Sequence, residues 1–420
     1  MADPADWQHN LVTDVPVVVF KLTREPWQHG PLAISRSLGR LGVPVYEATR
    51  TRRTPSSGSR YVRRHFAIPG PERPDAEVLV ALLGVARHLR ARPVLIPTDD
   101  LAALFVGDHP ALTEAFRLPA QPAGLPRRLS DKRHLHQLCL ESGVPSPEAR
   151  FPSSRADMQR DAEELGFPVV IKSMDPELLR RRASAASVAI AADLGDAMAL
   201  YDTMEDPDEP NLMLQEFIPG NARSIWMFNG YFDGTGACRI GFVGQKIRQS
   251  PPTTGATTLG VAVLNESVNE LARTFLDRVG YRGVVDLGFR FDARDQRYKL
   301  LDVNPRIGSS FRLFVGRNGM DVVRALYLDL TDQSIPGSQI RPGRRWWVED
   351  QDAATCLKLM RARELGVRDI ISSLRGVEET AWLSRDDPRP ALALFVAIAR
   401  DLLSRGLRPL RAVRSRKAAR

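Results

Sequence analysis

Short apolar runs that alternate with helix-like stretches constrain this chain more than any other feature of its sequence. Residues 15–20 (Val-Pro-Val-Val-Val-Phe) are few and rich in β-branched side chains, so they read as a buried strand. Helical spacing follows over 32–41, and Gly42 is a stop signal. Residues 44–47 resume as a strand, 76–89 as a helix, and 93–97 as a strand ending at Thr98-Asp99-Asp100. Strands alternating with helices predict a parallel α/β sheet. The Pro-rich stretch 118–126 reads as a linker.

Ser130-Asp131 supplies a helix cap, Leu135 and Leu138 an apolar stripe, and Gly143 with Pro145 a stop. A helix over 156–166 precedes the buried strand 167–172, which finishes on Lys172. Strand 188–191, helix 194–204 and strand 212–218 follow. The pattern then turns antiparallel. Residues 225–232 and 239–247 flank Asp233-Gly-Thr-Gly236, a hairpin turn, and 251–260 read as a long loop. After a helix over 267–279, residues 284–291 and 298–303 form a second hairpin around Ala293-Arg-Asp295. An apolar helix over 391–403 precedes a basic tail.

The second hairpin carries the sharpest chemical statement. A loop centred on Arg294 puts Asp286 directly opposite Asp302, with Asn304 on the same face. Two carboxylates about 5 Å apart at Cβ repel unless something lies between them. One reading is a pair bridged by a divalent cation, which takes hard oxygen ligands together with phosphate; the other is a solvated pair on an open face. Lys172 at a strand end and Lys132 in the first turn of a helix are snorkelling lysines or anion contacts. Lys246 and Arg248 share a strand face by period two and suit a carboxylate or phosphate. Arg306 and Arg312 follow Asn304, and a planar guanidinium fits phosphoryl oxygens. His29 reads as a surface histidine, and Trp346-Trp347 as packing.

Composition excludes several classes. With 43% hydrophobic and 26% charged residues over 420 positions, the chain is neither disordered nor short of core material. Three dispersed cysteines rule out a disulfide scaffold or zinc ribbon and fit a reducing cytoplasm. The net charge of +9 includes six Arg and one Lys in 405–420, which leaves +2 on the remainder. That tail is either a solvated terminus or a contact for an anionic membrane; nucleic acid is not an expected partner. No GxSxG, Walker A or Rossmann glycine motif appears.

Five segments in order resemble the ATP-grasp superfamily, on the side of its carboxylate–amine ligases and carbamoyl-phosphate-synthase-like members. They are Leu129-Ser-Asp-Lys132 with Gly143-Val-Pro-Ser-Pro147, Phe167-Pro-Val-Val-Ile-Lys172, Leu214-Gln-Glu-Phe-Ile-Pro-Gly220, Gly244-Gln-Lys-Ile-Arg-Gln-Ser-Pro-Pro252 and Leu300-Leu-Asp-Val-Asn-Pro-Arg306. The resemblance covers about residues 15–335. It implies an α/β and α+β architecture: a parallel α/β pre-ATP-grasp domain over 1–125, a small lobe over 126–212, a large lobe with a metal site over 213–335, and a mixed, helical extension over 336–420. The two lobes would clasp ATP.

The resemblance also implies roles. Lys132 and Lys172 would touch ATP phosphates. Gln215, Glu216, Phe217 and Ile218 would form the hinge that binds adenine. Asp302 and Asn304, with Asp286 from the neighbouring strand, would hold Mg²⁺ or Mn²⁺. Arg306, Lys172 and Lys246 would serve the transferred phosphoryl group and the substrate. The expected reaction is an ADP-forming ligation of a small-molecule carboxylate to an amine through an acyl phosphate, in a cytoplasmic protein for which a homodimer is the default. Phosphorylation of a small carboxylate or bicarbonate, and nucleotide binding without turnover, are the alternatives. Three departures bear on this. Gly288 stands where many relatives have a second acid, Asn221-Ala-Arg-Ser224 replaces the ribose-binding acid, and the phosphate loop 175–187 has three consecutive arginines and no glycine.

Overall fold

The computed structural model describes residues 6–23, 28–52, 54–174, 187–206 and 210–400. Most of the phosphate loop and the basic tail therefore lie outside the described residues.

The first strands are β1 (Val17–Phe20), β2 (Val45–Thr49), β3 (Val62–Ala67) and β4 (Val94–Pro97), with α1 (Gly30–Gly39), α2 (Asp75–Leu89) and α3 (Asp100–Asp108) between and after them. They form an all-parallel sheet in the order β3-β2-β1-β4. Every residue of β1 is buried, as a strand covered on both faces requires. Val18 and Phe20 pack towards α2, while Val17 and Val19 pack with Leu32 and Ile34 of α1. The sequence pattern missed β3, because its exposed Arg63-Arg64 leaves no apolar run to read.

Two short helices, α4 (Leu112–Ala115) and α5 (Leu125–Ser130), lead to α6 (Lys132–Ser142). The side chain of Asp131 accepts from the His134 N–H and caps α6, and Gly143 ends it in a left-handed conformation. Strands β5 (Ala149–Arg150), β6 (Val169–Ser173), β7 (Val188–Ala191) and β8 (Leu212–Glu216) make an antiparallel sheet in the order β5-β8-β6-β7. Helices α7 (Arg155–Leu165) and α8 (Leu194–Met204) join it in one small core around Met158, Val169, Ile171 and Leu214.

The largest sheet has seven strands in the order β13-β12-β9-β10-β11-β14-β15. They are β9 (Ile225–Phe232), β10 (Cys238–Ser250), β11 (Ala256–Ala262), β12 (Gly283–Asp292), β13 (Arg297–Asn304), β14 (Arg345–Trp347) and β15 (Val377–Thr380). β11 occupies much of the stretch expected to be loop; its threonines and glycine concealed the strand pattern. One face buries Phe228, Val285, Leu287 and Phe289 against α6 and α9 (Glu266–Arg278). The other face, with Met227, Tyr231 and Phe242, shares a continuous core with α1 of the first sheet, α10 (Val322–Leu330) and Trp346 and Trp382 of the C-terminal region.

The last segment is thus built into the molecule. Arg36 of α1 donates to the Asp387 carboxylate at 3.0 Å and to the carbonyls of Ala381, Trp382 and Asp387, and both side chains are buried. Helices α11 (Glu349–Arg361) and α12 (Val367–Leu374) flank β14 and β15, and 389–400 is helical with Ala391 and Leu394 in the core. Among the described residues no helix is long and apolar enough to cross a membrane.

Candidate active site

The β12–β13 hairpin does not keep the simple register expected of it. Asp286 pairs with Asn304 and Gly288 with Asp302, whereas Phe289 pairs with Leu300. Leu301 is therefore an extra, bulged residue. The two acids are diagonal neighbours, not directly opposed. The bulge has a purpose that period-two counting cannot see. It lets Leu300 stay in the apolar core opposite Phe289 while Asp302 turns to the Asp286 face. Gly288 fits the same geometry: a Cβ there would collide with Asp302 Oδ1. The absence of a side chain at Gly288 leaves the space that the Asp302 carboxylate uses.

Asp286 is also paired with Asn229 of β9, so Asn229, Asp286 and Asn304 form one row across three strands. Asp286 Oδ1 and Asn229 Oδ1 are buried without a hydrogen-bond partner. Asn304 Nδ2 lies 3.5 Å from Asp286 Oδ2, and its Oδ1 accepts from Arg306 at 3.3 Å. Burial pushes the Asp286 carboxyl up to about 6; Asp302 adds to this, and Arg306 and Lys246 oppose it. Asp302 is exposed. Among the described residues no three His, Cys, Asp or Glu side chains cluster as a metal site, so any cation here would depend on two acids with asparagine oxygens. Buried oxygens without donors are the environment such a cation needs.

Cationic groups surround this row. Lys246 lies on the same face; burial lowers its pKa, and Asp302 and Asp286 oppose the drop. Its ammonium donates to the Gly255 carbonyl at 2.8 Å and to Gln249 Oε1 at 3.2 Å. Arg248 does not accompany it. A bulge after Lys246 sends Arg248 to the opposite face, where it is buried against Asp352 of α11 at 2.6 and 2.8 Å. Arg312 also leaves the site: it is buried between Asp321 and Glu379. Arg306 stays, and forms a two-pronged pair with Asp100 at the start of α3, at 2.6 and 3.1 Å. Sequence reasoning passed over Asp100, Asn229 and Arg290, whose buried Nε lacks a partner. The signal for Asn229 was available, as a lone amide in the apolar run Ile-Trp-Met-Phe-Asn-Gly-Tyr-Phe.

Between the small sheet and the hairpin, a cavity of about 20 Å³ is lined by Lys132, Lys172, Gln215, Met213, Cys139 and Leu301, among others. Burial lowers the Lys172 pKa to about 8; Lys132 adds to this, and Asp302 opposes it. Lys132 donates to the Met174 carbonyl at 3.4 Å. Gln215 and Ile218 are buried and Phe217 is partly so. The Glu216 carboxylate is held by Arg294 and by Lys299, the latter at 3.2 Å, so the end of β8 is tied to the β12–β13 hairpin. His29 is not a surface residue: burial pushes its imidazole down to about 4, and its ring packs on Trp346 and Trp382.

No protein-family model matches the chain. It is 25% identical over 240 residues to a D-aspartate ligase of Enterococcus faecium, a match that spans 55% of this chain and 57% of that protein. An L-amino acid ligase from Bacillus licheniformis superposes with a TM-score of 0.59 at 15% identity, over 80% of this chain and 79% of that one. An N5-carboxyaminoimidazole synthetase from Staphylococcus aureus, complexed with ADP, gives 0.60 at 11% identity over 79% and 81%. The chain has the ATP-grasp fold, and its sequence is similar to that of a D-aspartate ligase, of whose length it spans about half.

Proposed function

We propose that this chain is an ATP-dependent, ADP-forming ligase that joins a carboxylate to an amine through an acyl phosphate. The observation that carries the reading is the pair of buried, donorless oxygens Asp286 Oδ1 and Asn229 Oδ1, beside Asp302 and Asn304 and ringed by Lys172, Lys246 and Arg306. Hard acceptors facing cations suit a divalent ion and a polyphosphate together.

In this reading Asp286, Asp302 and Asn304, with Asn229, hold Mg²⁺ or Mn²⁺. Such an ion, when bound, would neutralise phosphate charge. Lys132 and Lys172 contact the phosphates, and Gln215, Glu216, Phe217 and Ile218 border the adenine site between a small lobe (126–212) and a large lobe (213–335). A substrate carboxylate oxygen bonds to the γ-phosphorus and ADP leaves. The amine nitrogen then bonds to the acyl carbon, and inorganic phosphate leaves. Lys172 and Arg306 offset charge that grows on the phosphoryl oxygens, and Lys246 holds the substrate carboxylate. No side-chain nucleophile is required. The names of two relatives make an amino acid the first candidate substrate.

The test is ADP release from Mg-ATP across mixtures of carboxylic acids and amino acids. ADP should form only when both a matching acid and a matching amine are present. Asp302→Asn should lower turnover by at least 100-fold, while the exposed position keeps Tm within about 2 °C. ADP release that ignores the amine would sink the ligase reading. ATP binding without turnover in any mixture would favour the degenerate binder, for which Gly288 in place of an acid is the supporting observation.

A further inference from the structure

At the far end of the seven-stranded sheet, a cleft of about 360 Å³ is lined by Arg317, Arg341, Arg344 and Glu378, with Pro342, Gly343 and Gly376. It lies beside β14 and β15, four strand spacings from Asp286, roughly 15–20 Å across the sheet. It shares no residue with the site described above.

Charge here is unbalanced. Three guanidiniums line the cleft against two carboxylates: Glu378 accepts from Arg341 at 3.0 Å and from Arg344 at 2.8 Å. Glu379, at 2.7 Å from Arg344, is already shared with Arg312. Arg317 is exposed, and its side chain has no partner among the described residues. Burial pushes the Arg344 guanidinium below its ordinary value, and nearby Arg312 adds to this in spite of Glu379 and Glu378. No atom lies within 4 Å of where a Cβ would stand at Gly343 or Gly376, so the walls leave room for a ligand.

We infer that this cleft is a second anion site, and that it takes a small, multiply charged oxyanion of the phosphate class. Among the described residues Arg317, with no side-chain partner, and Arg341, exposed and held by Glu378 alone, leave guanidinium donors for an oxyanion, and arginine forks match phosphoryl oxygens. Arg344 also donates to the Arg312 carbonyl at 3.1 Å, so the wall of the cleft is fastened to the segment that follows Asn304 and Arg306.

The probe is inorganic pyrophosphate, titrated calorimetrically into the full chain in EDTA at low salt. Wild type should bind one equivalent. The exposed pair Arg317→Ser/Arg341→Ser should bind about 100-fold more weakly, near tenfold per arginine contact. Arg63→Ser/Arg128→Ser, which removes the same charge elsewhere, should bind like wild type. Lys172→Met/Asp302→Asn should also bind like wild type, which separates this site from the proposed nucleotide site. The inference is overturned if the cleft variant binds normally, if the control pair weakens binding equally, or if the Lys172→Met/Asp302→Asn variant abolishes it.

Discussion

Lys172→Met should make the ligand-free protein more stable and its nucleotide complex weaker. The ammonium sits against the small sheet, where burial lowers its pKa from 10.5 to about 8. At about 1.36 kcal/mol per pH unit, keeping it charged costs the folded chain about 3 kcal/mol. Partial exposure screens some of this, so a gain of about 1–3 kcal/mol is expected from the neutral, similarly long methionine. For a chain of 420 residues that corresponds to a Tm increase of about 1–3 °C near pH 7. The sign with pH follows from the lowered pKa. Below pH 8 the whole cost is present. Between pH 8 and 10.5 the folded amine is already neutral while the unfolded one still binds its proton, so the cost fades. The Tm advantage of Lys172→Met should therefore shrink through that window and vanish at its upper end. A charge-assisted bond to phosphate is worth about 1.5–3 kcal/mol, so ATP should bind about 10–100-fold more weakly. Scanning calorimetry from pH 6 to 10.5 and ATP titration read both effects. A lower Tm for the variant, or an unchanged ATP affinity, would refute the idea that this lysine is kept charged at a cost for the sake of a phosphate.

Other outcomes follow from the same geometry. Gly288→Ala places a methyl against Asp302 Oδ1 and should displace that carboxylate; Mg²⁺-dependent ATP binding should fall at least tenfold with an unchanged circular dichroism spectrum. Asp387→Ala leaves the buried Arg36 uncompensated and should cost about 3–5 kcal/mol in urea unfolding. A loss below about 1 kcal/mol would mean that the C-terminal segment is not held to α1 by this pair.

Lys172 near the end of β6, the Asp131 cap and the order of motifs were legible because each depends on near neighbours in sequence. The boundaries of β7 and α8 were read to the residue for the same reason: a four-residue apolar run, Val-Ala-Ile-Ala, then a helical stretch. What failed were the places where one extra residue changes a face. The bulge at Leu301 moved Asp302 from opposite Asp286 to a diagonal position, and the bulge after Lys246 sent Arg248 across the sheet to Asp352. His29 looked like a surface residue because nothing near it in sequence announces Trp346 and Trp382.

The sequence by itself determined that there would be a parallel α/β unit, a lysine-ended strand and an acidic hairpin, since periodicity and capping are local properties of the chain. Only the tertiary structure decided which side chains meet. Asn229 joins Asp286 through strand pairing across 57 residues, and Asp100 reaches Arg306 across 206. Those partnerships depend on register and on packing between sheets, and a single inserted residue resets both.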